Sequence, residues 1–130
     1  MLRVYLFLLL VTFSQIVFAE WVKHGANEGM VVYYDPSVFY SGNGNVRLWI
    51  MFDFKKQKLG VVNGKTPLSS KVNDEFDCRR EMMRMVFYSL HDKNMGKGEV
   101  IHIDVRPTEW APIPPDGVLK DMYALYCQTK

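Results

Sequence analysis

Cys78 and Cys127 are the two most reactive side chains in this 130-residue sequence, and their surroundings decide what they can do. A zinc site would need further Cys or His at short spacing, and neither cysteine has such a neighbour. A redox pair would need Cys-x-x-Cys, which is absent. A structural bridge is left as the favoured reading, provided that the chain meets an oxidising compartment. The three histidines, His24, His91 and His102, are widely spaced. His102-x-Asp104 sets two ligand-type side chains on one strand face, but two ligands do not make a metal site. Ser69 and Ser70 have no evident base to activate them. The expectation is a chain with no catalytic site, no metal and no cofactor, and therefore not an enzyme.

Two groups of residues could instead serve recognition. Arg79, Arg80 and Arg84 cluster around Cys78. They can meet an acidic partner, or they can pair with Glu75, Asp77 and Glu81 on a solvated face. Trp110 can be an exposed anchor of the kind that dominates interfaces, or it can pack under the prolines that follow it. With Lys65 these form the candidate partner-binding set. Met82, Met83, Met85, Met95 and Met122 suit either an adaptable surface or, more commonly, a core.

The compartment is written at the N-terminus. Arg3 gives a positive start, residues 4–11 form an apolar run, and Val17-Phe18-Ala19 has the small-residue pattern that a signal peptidase reads. This is the layout of a secretory signal peptide. The run is broken by Thr12, Ser14 and Gln15 and falls short of the ~20 apolar residues that span a bilayer. Cleavage after Ala19 is expected, leaving no transmembrane anchor. The residue just after Ala19 is Glu20 rather than a cysteine, so a lipid-modified N-terminus is not expected. The mature chain should be soluble in the periplasm or outside the cell, where two cysteines normally pair. It would hold 111 residues (130 − 19), enough for one domain over 20–130 with a modest core. Removing Arg3 leaves 15 cations (16 − 1) against 14 acids, a net charge of about +1. That balance argues against nucleic acid as the partner, since phosphate binding needs a concentrated basic surface.

The elements that must position these residues read mostly as strands. Residues 29–34 are β-branched and aromatic, 38–40 follow, and Ser41-Gly-Asn-Gly-Asn45 is a turn signal. Residues 46–54 alternate, with Val46, Leu48, Ile50 and Phe52 on a wholly apolar face, which suits a sheet with one buried side. Residues 55–65 read as a polar loop, and strand character returns over 68–76. Residues 77–92 fit a helix by propensity, but a hairpin turn at 92–98 and a short strand at 100–105 favour strand across roughly 77–90. Trp110-Ala-Pro-Ile-Pro-Pro115 must be extended, because proline fixes φ and restrains the residue before it. Residues 116–127 read as a short amphipathic helix, capped by Asp116 and buried through Val118, Met122, Leu125 and Tyr126. A helix this short is marginal alone, and Cys127 on its last turn offers a covalent dock. The fold class expected is α+β: a single small antiparallel sheet with one C-terminal helix joined to it by a disulfide, with Cys78 in a strand.

These residues resemble the surface-adhesin protein E family of exported bacterial proteins. The resemblance rests on Tyr33-Tyr34-Asp35, Val46-Arg47-Leu48-Trp49, and Ser69-Ser70-Lys71 leading to Asp77-Cys78-Arg79. It continues through Phe87-Tyr88-Ser89, Gly96-x-Gly98, Trp110-x-Pro112-Ile113-x-Pro115 and a closing helix that ends at Cys127. It implies a protein that binds host extracellular-matrix or other protein partners, with a homodimer as a further expectation. The alternatives are an envelope accessory protein without a host ligand, or a carrier of a small ligand such as haem.

Overall fold

The computed structural model describes residues 20–56 and 60–127, so the signal peptide expected over 1–19 lies outside the described residues. Eight strands form one antiparallel sheet: β1 (Val22–Ala26), β2 (Met30–Tyr34), β3 (Phe39–Tyr40), β4 (Asn45–Phe54), β5 (Ser69–Asp77), β6 (Met82–His91), β7 (Val100–Asp104) and β8 (Ala111–Pro112). The order is β1-β2-β4-β5-β6-β7. β3 continues the line of β2 along β4, and β8 continues the line of β7 along β6. Among the described residues one α-helix, α1 (Val118–Tyr126), follows the last strand. The expected α+β class holds, with the sheet as the larger part.

β4 and β5 are the centre, and their register sorts the side chains. Leu48, Ile50 and Phe76 point to one face and are fully buried there with Met122 of α1. The alternation read in residues 46–54 is thus the alternation of a sheet with a helix on one side. A disulfide between Cys78 and Cys127 ties the helix end to the sheet, and the Tyr123 hydroxyl donates to the Cys78 carbonyl at 3.3 Å. At the other end of α1, His24 of β1 meets Asp121 at 2.8 Å.

Several local expectations are corrected. Cys78 is not in a strand: β5 ends at Asp77, and residues 78–81 turn before β6 begins at Met82. The Asp77 carboxylate builds that turn by accepting from the backbone N–H groups of Arg79 and Arg80. Glu81 completes it in the left-handed region at φ 55°. Asp116 does not cap α1. The N-cap is Gly117, at φ 94°, a conformation open to glycine, with no side-chain cap bond. Leu125 is 55% exposed. At about 100° per residue, the face formed by Leu119, Met122, Tyr123 and Tyr126 leaves Leu125 at the rim. β1 has no strong strand signature (Val-Lys-His-Gly-Ala), and it forms by pairing with β2 through a bulge between Lys23 and Gly25.

Candidate functional site

The sheet face opposite the helix is where the recognition residues gather. Cross-strand register lays them out as rungs about 7 Å apart, the length of two strand residues. One rung is Arg47–Glu75–Arg84, across β4, β5 and β6. The next is Trp49–Asn73–Phe87. The two beyond, Met51–Lys71–Ser89 and Asp53–Ser69–His91, lie beside the 92–98 loop. That loop is latched by Asp53, which accepts from the Asn94 side chain and the Met95 backbone, and by Ser69, which accepts from Gly96 N–H. Half of the face is therefore capped, and the half carrying the first two rungs is open.

The ionic rung is ordered by one buried acid. Glu75 accepts from Arg84 Nε at 2.7 Å on one oxygen and from Arg47 Nε at 3.1 Å on the other. Burial works to raise its pKa, but the bonds from Arg84 and Arg47 outweigh it and hold Glu75 below the ordinary glutamate range. Arg84 and Arg80 both stack on Trp110, with guanidinium carbons 4.5 and 5.3 Å from the ring centroid. Arg80 is itself held by Asp77 at 2.6 Å. Trp110 is carried there by the extended segment that leads into β8, whose pairing with Met82 and Met83 sets its height on the sheet. Trp110 thus packs against two arginines.

The aromatic rung floors a trough of about 590 Å³ lined by Phe39, Arg47, Trp49, Asn73, Phe87 and Val105, among others. Trp49 and Phe87 meet edge to face with ring centroids 5.2 Å apart. Phe39, on the short edge strand β3, stands 62% exposed at the rim.

The structure brings Arg80, Arg84 and Trp110 together and leaves two of the candidates elsewhere. Arg79 lies near Gly44, among the residues around the disulfide. Lys65 pairs with Glu99 at the far end of β6. Arg47, Trp49 and Phe87 were missed as site residues. Arg47 and Trp49 have a sequence signal in the other face of the alternating residues 46–54, where Arg47, Trp49, Met51 and Asp53 mix polar and apolar types without showing their partners; Phe87 lies outside that run. Ser89 and His91 were also missed: Ser89 Oγ lies 2.8 Å from His91 Nε2. Both are buried, and His91 Nδ1 has no partner among the described residues. Burial, with Lys71 adding to it, pushes the His91 pKa down. With no acid on Nδ1, this pair lacks the third group of a hydrolytic triad. No group of three or more metal-ligating side chains occurs among the described residues.

The sequence profile of surface-adhesin protein E matches residues 21–128. The chain belongs to that family. Its solved relatives in fold include Haemophilus influenzae protein E in crystal form II, at 14% identity and TM-score 0.59, covering 79% of this chain and 90% of that one. The selenomethionine form of the same protein gives 13% identity and TM-score 0.60, over 79% and 88%. Protein E from non-typeable Haemophilus influenzae gives 14% and 0.58, over 83% and 84%. No curated protein sequence matches the chain. The adhesin E family marks this chain as an adhesin-like protein of the exported, protein-binding kind. None of its described helices is long and apolar enough to cross a membrane.

Proposed function

We propose that this protein is an exported binding protein that docks a protein partner on the open half of its sheet, with Arg80, Arg84 and Trp110 as contacts. The observation that carries the reading is the Trp110 stack: a large aromatic, half-buried and clamped by two arginines, on the open half of the face. Trp and Arg are the residue types that concentrate interface energy, and clamping them beforehand lowers the entropy lost on binding. The signal peptide, cleavage after Ala19 and a mature form in the periplasm or outside the cell complete the proposal, and host extracellular-matrix proteins are the family-level partner. Exposed Ile103 and Val105, on and just beyond edge strand β7, suit the homodimer expected from the family.

The test is solid-phase binding of the purified protein to a panel of immobilised matrix glycoproteins, with serum albumin as the blank. Binding above the blank that drops in Trp110→Ala supports the proposal. Binding equal to the blank across the panel sinks the matrix reading, and retention in the periplasmic fraction would then favour an envelope accessory role.

A further inference from the structure

The open face has a feature beyond its aromatic content: its acids are hidden and its bases are not. Glu75 and Asp77 keep only 5% and 13% of their side chains exposed, whereas Arg47, Arg84 and Arg80 keep 43%, 27% and 59%. Each of these arginines binds its acid through Nε. The terminal amino groups, which form the two-pronged end that fits a carboxylate, are outside those bonds. Two arginines share the one Glu75, so the charge count of this patch is three bases against two acids, a surplus of one. One rung away the trough between Phe39 and Val105 offers apolar walls.

We infer that the open face receives an acidic, extended segment of a partner protein, its carboxylates on the exposed guanidinium ends of Arg47, Arg80 and Arg84 and an apolar side chain in the Trp49–Phe87 trough. The inference rests on the docking-face reading above and names the chemistry of the partner. Charge complementarity sets the sign of the segment. The trough selects a polypeptide over a sulfated polysaccharide, because a sugar chain carrying charge on every unit has no apolar group to bury beside the arginines. The distance between rungs, about 7 Å, is also the distance between side chains two residues apart on an extended chain. An acid and an apolar residue in that relation would reach both subsites at once.

The experiment uses fluorescence anisotropy with three probes: a short labelled peptide with Glu two positions before and two positions after a Phe, its Lys-for-Glu counterpart, and labelled heparin. The acidic peptide should bind, lose affinity as salt is raised, and weaken about tenfold when its Phe becomes Ser. Arg80→Gln and Phe39→Ser alter exposed side chains, and unchanged melting would show that both variants fold. Each should weaken the acidic peptide about tenfold. Equal binding of the Lys peptide, heparin binding without acidic-peptide binding, or full affinity in both variants would overturn the inference. The two proposals fail separately. A matrix protein that binds through Trp110 but is not displaced by the acidic peptide leaves the docking face standing and removes the acidic segment. Silence in both assays removes both.

Discussion

Asp74 and Glu75 are neighbours in β5, point to opposite faces of the sheet, and have pKa values displaced in opposite directions. Asp74 shares its face with Leu48, its partner across β4, and burial raises its pKa to about 7. Glu75 faces the other way, where Arg84 and Arg47 overcome its burial and hold it low. One residue step separates a carboxyl with no counter-charge among the described residues from one that has two.

Asp74 should make the protein more stable in mild acid. Its folded pKa lies above the ordinary 3.8, so between about pH 4 and pH 7 the folded state keeps a proton that the unfolded state releases. Stability from this group is full below the unfolded value and falls as pH rises through the folded one, by on the order of 4 kcal/mol. His91 acts the other way: its lowered pKa costs stability as pH falls below 6.5. Glu75 acts lower still, its contribution being present above 4.5 and lost as pH falls through its depressed folded value. In Asp74→Asn the loss of stability between pH 4 and 7 should vanish, leaving the opposite slope of His91. Chemical denaturation across this range checks it, and an unchanged slope would show that Asp74 does not titrate there.

The Cys78–Cys127 bridge closes a separation of 49 residues. Chain entropy for such a loop gives about 4 kcal/mol, a large part of the roughly 5–15 kcal/mol of a typical domain. Cys127→Ser should lower the melting temperature and free α1, whose nine residues are too few to persist unaided. Melting identical to the parent, with and without reductant, would mean that the bridge contributes nothing.

Removing the shared acid should cost more than removing either base. Glu75→Ala leaves Arg47 and Arg84 together without their carboxylate. A fully buried pair broken this way loses about 3–5 kcal/mol, and the partial exposure of both arginines reduces the expectation to about 2 kcal/mol. Arg47→Ala leaves Glu75 with Arg84 and should cost about half as much. Urea midpoints of the two variants give the comparison, and equal values would argue against the shared-acid geometry.

Met122 and Leu125 separate the helix's buried face from its rim. Met122 is 3% exposed and packs on Leu48, Ile50 and Phe76, so Met122→Ala should lose about 3 kcal/mol. Leu125→Ala should stay within about 0.5 kcal/mol. Similar losses at both positions would mean that α1 docks in another rotation.

By itself the sequence determined the family, the alternating strand at residues 46–54, the hairpin around 92–98, the extended Trp110–Pro115 run, a C-terminal helix and the pair of cysteines. These depend on local chemistry: side-chain period, turn residues, proline geometry and the cysteine inventory. Three things were settled only by the tertiary structure, because they depend on register between strands distant in the chain. It placed Arg47, Glu75 and Arg84 on one rung, although they span 37 positions (84 − 47). It separated Lys65 and Arg79 from Arg80, Arg84 and Trp110, a division that charge spacing could not reveal. It formed β1 from a segment with little strand propensity, since pairing with β2 supplies the hydrogen bonds that its own residues do not demand. Cys78 lies on the boundary between the two kinds of information. Its chemistry was legible in the sequence, while its place in the turn after β5 follows from Asp77 capping that turn.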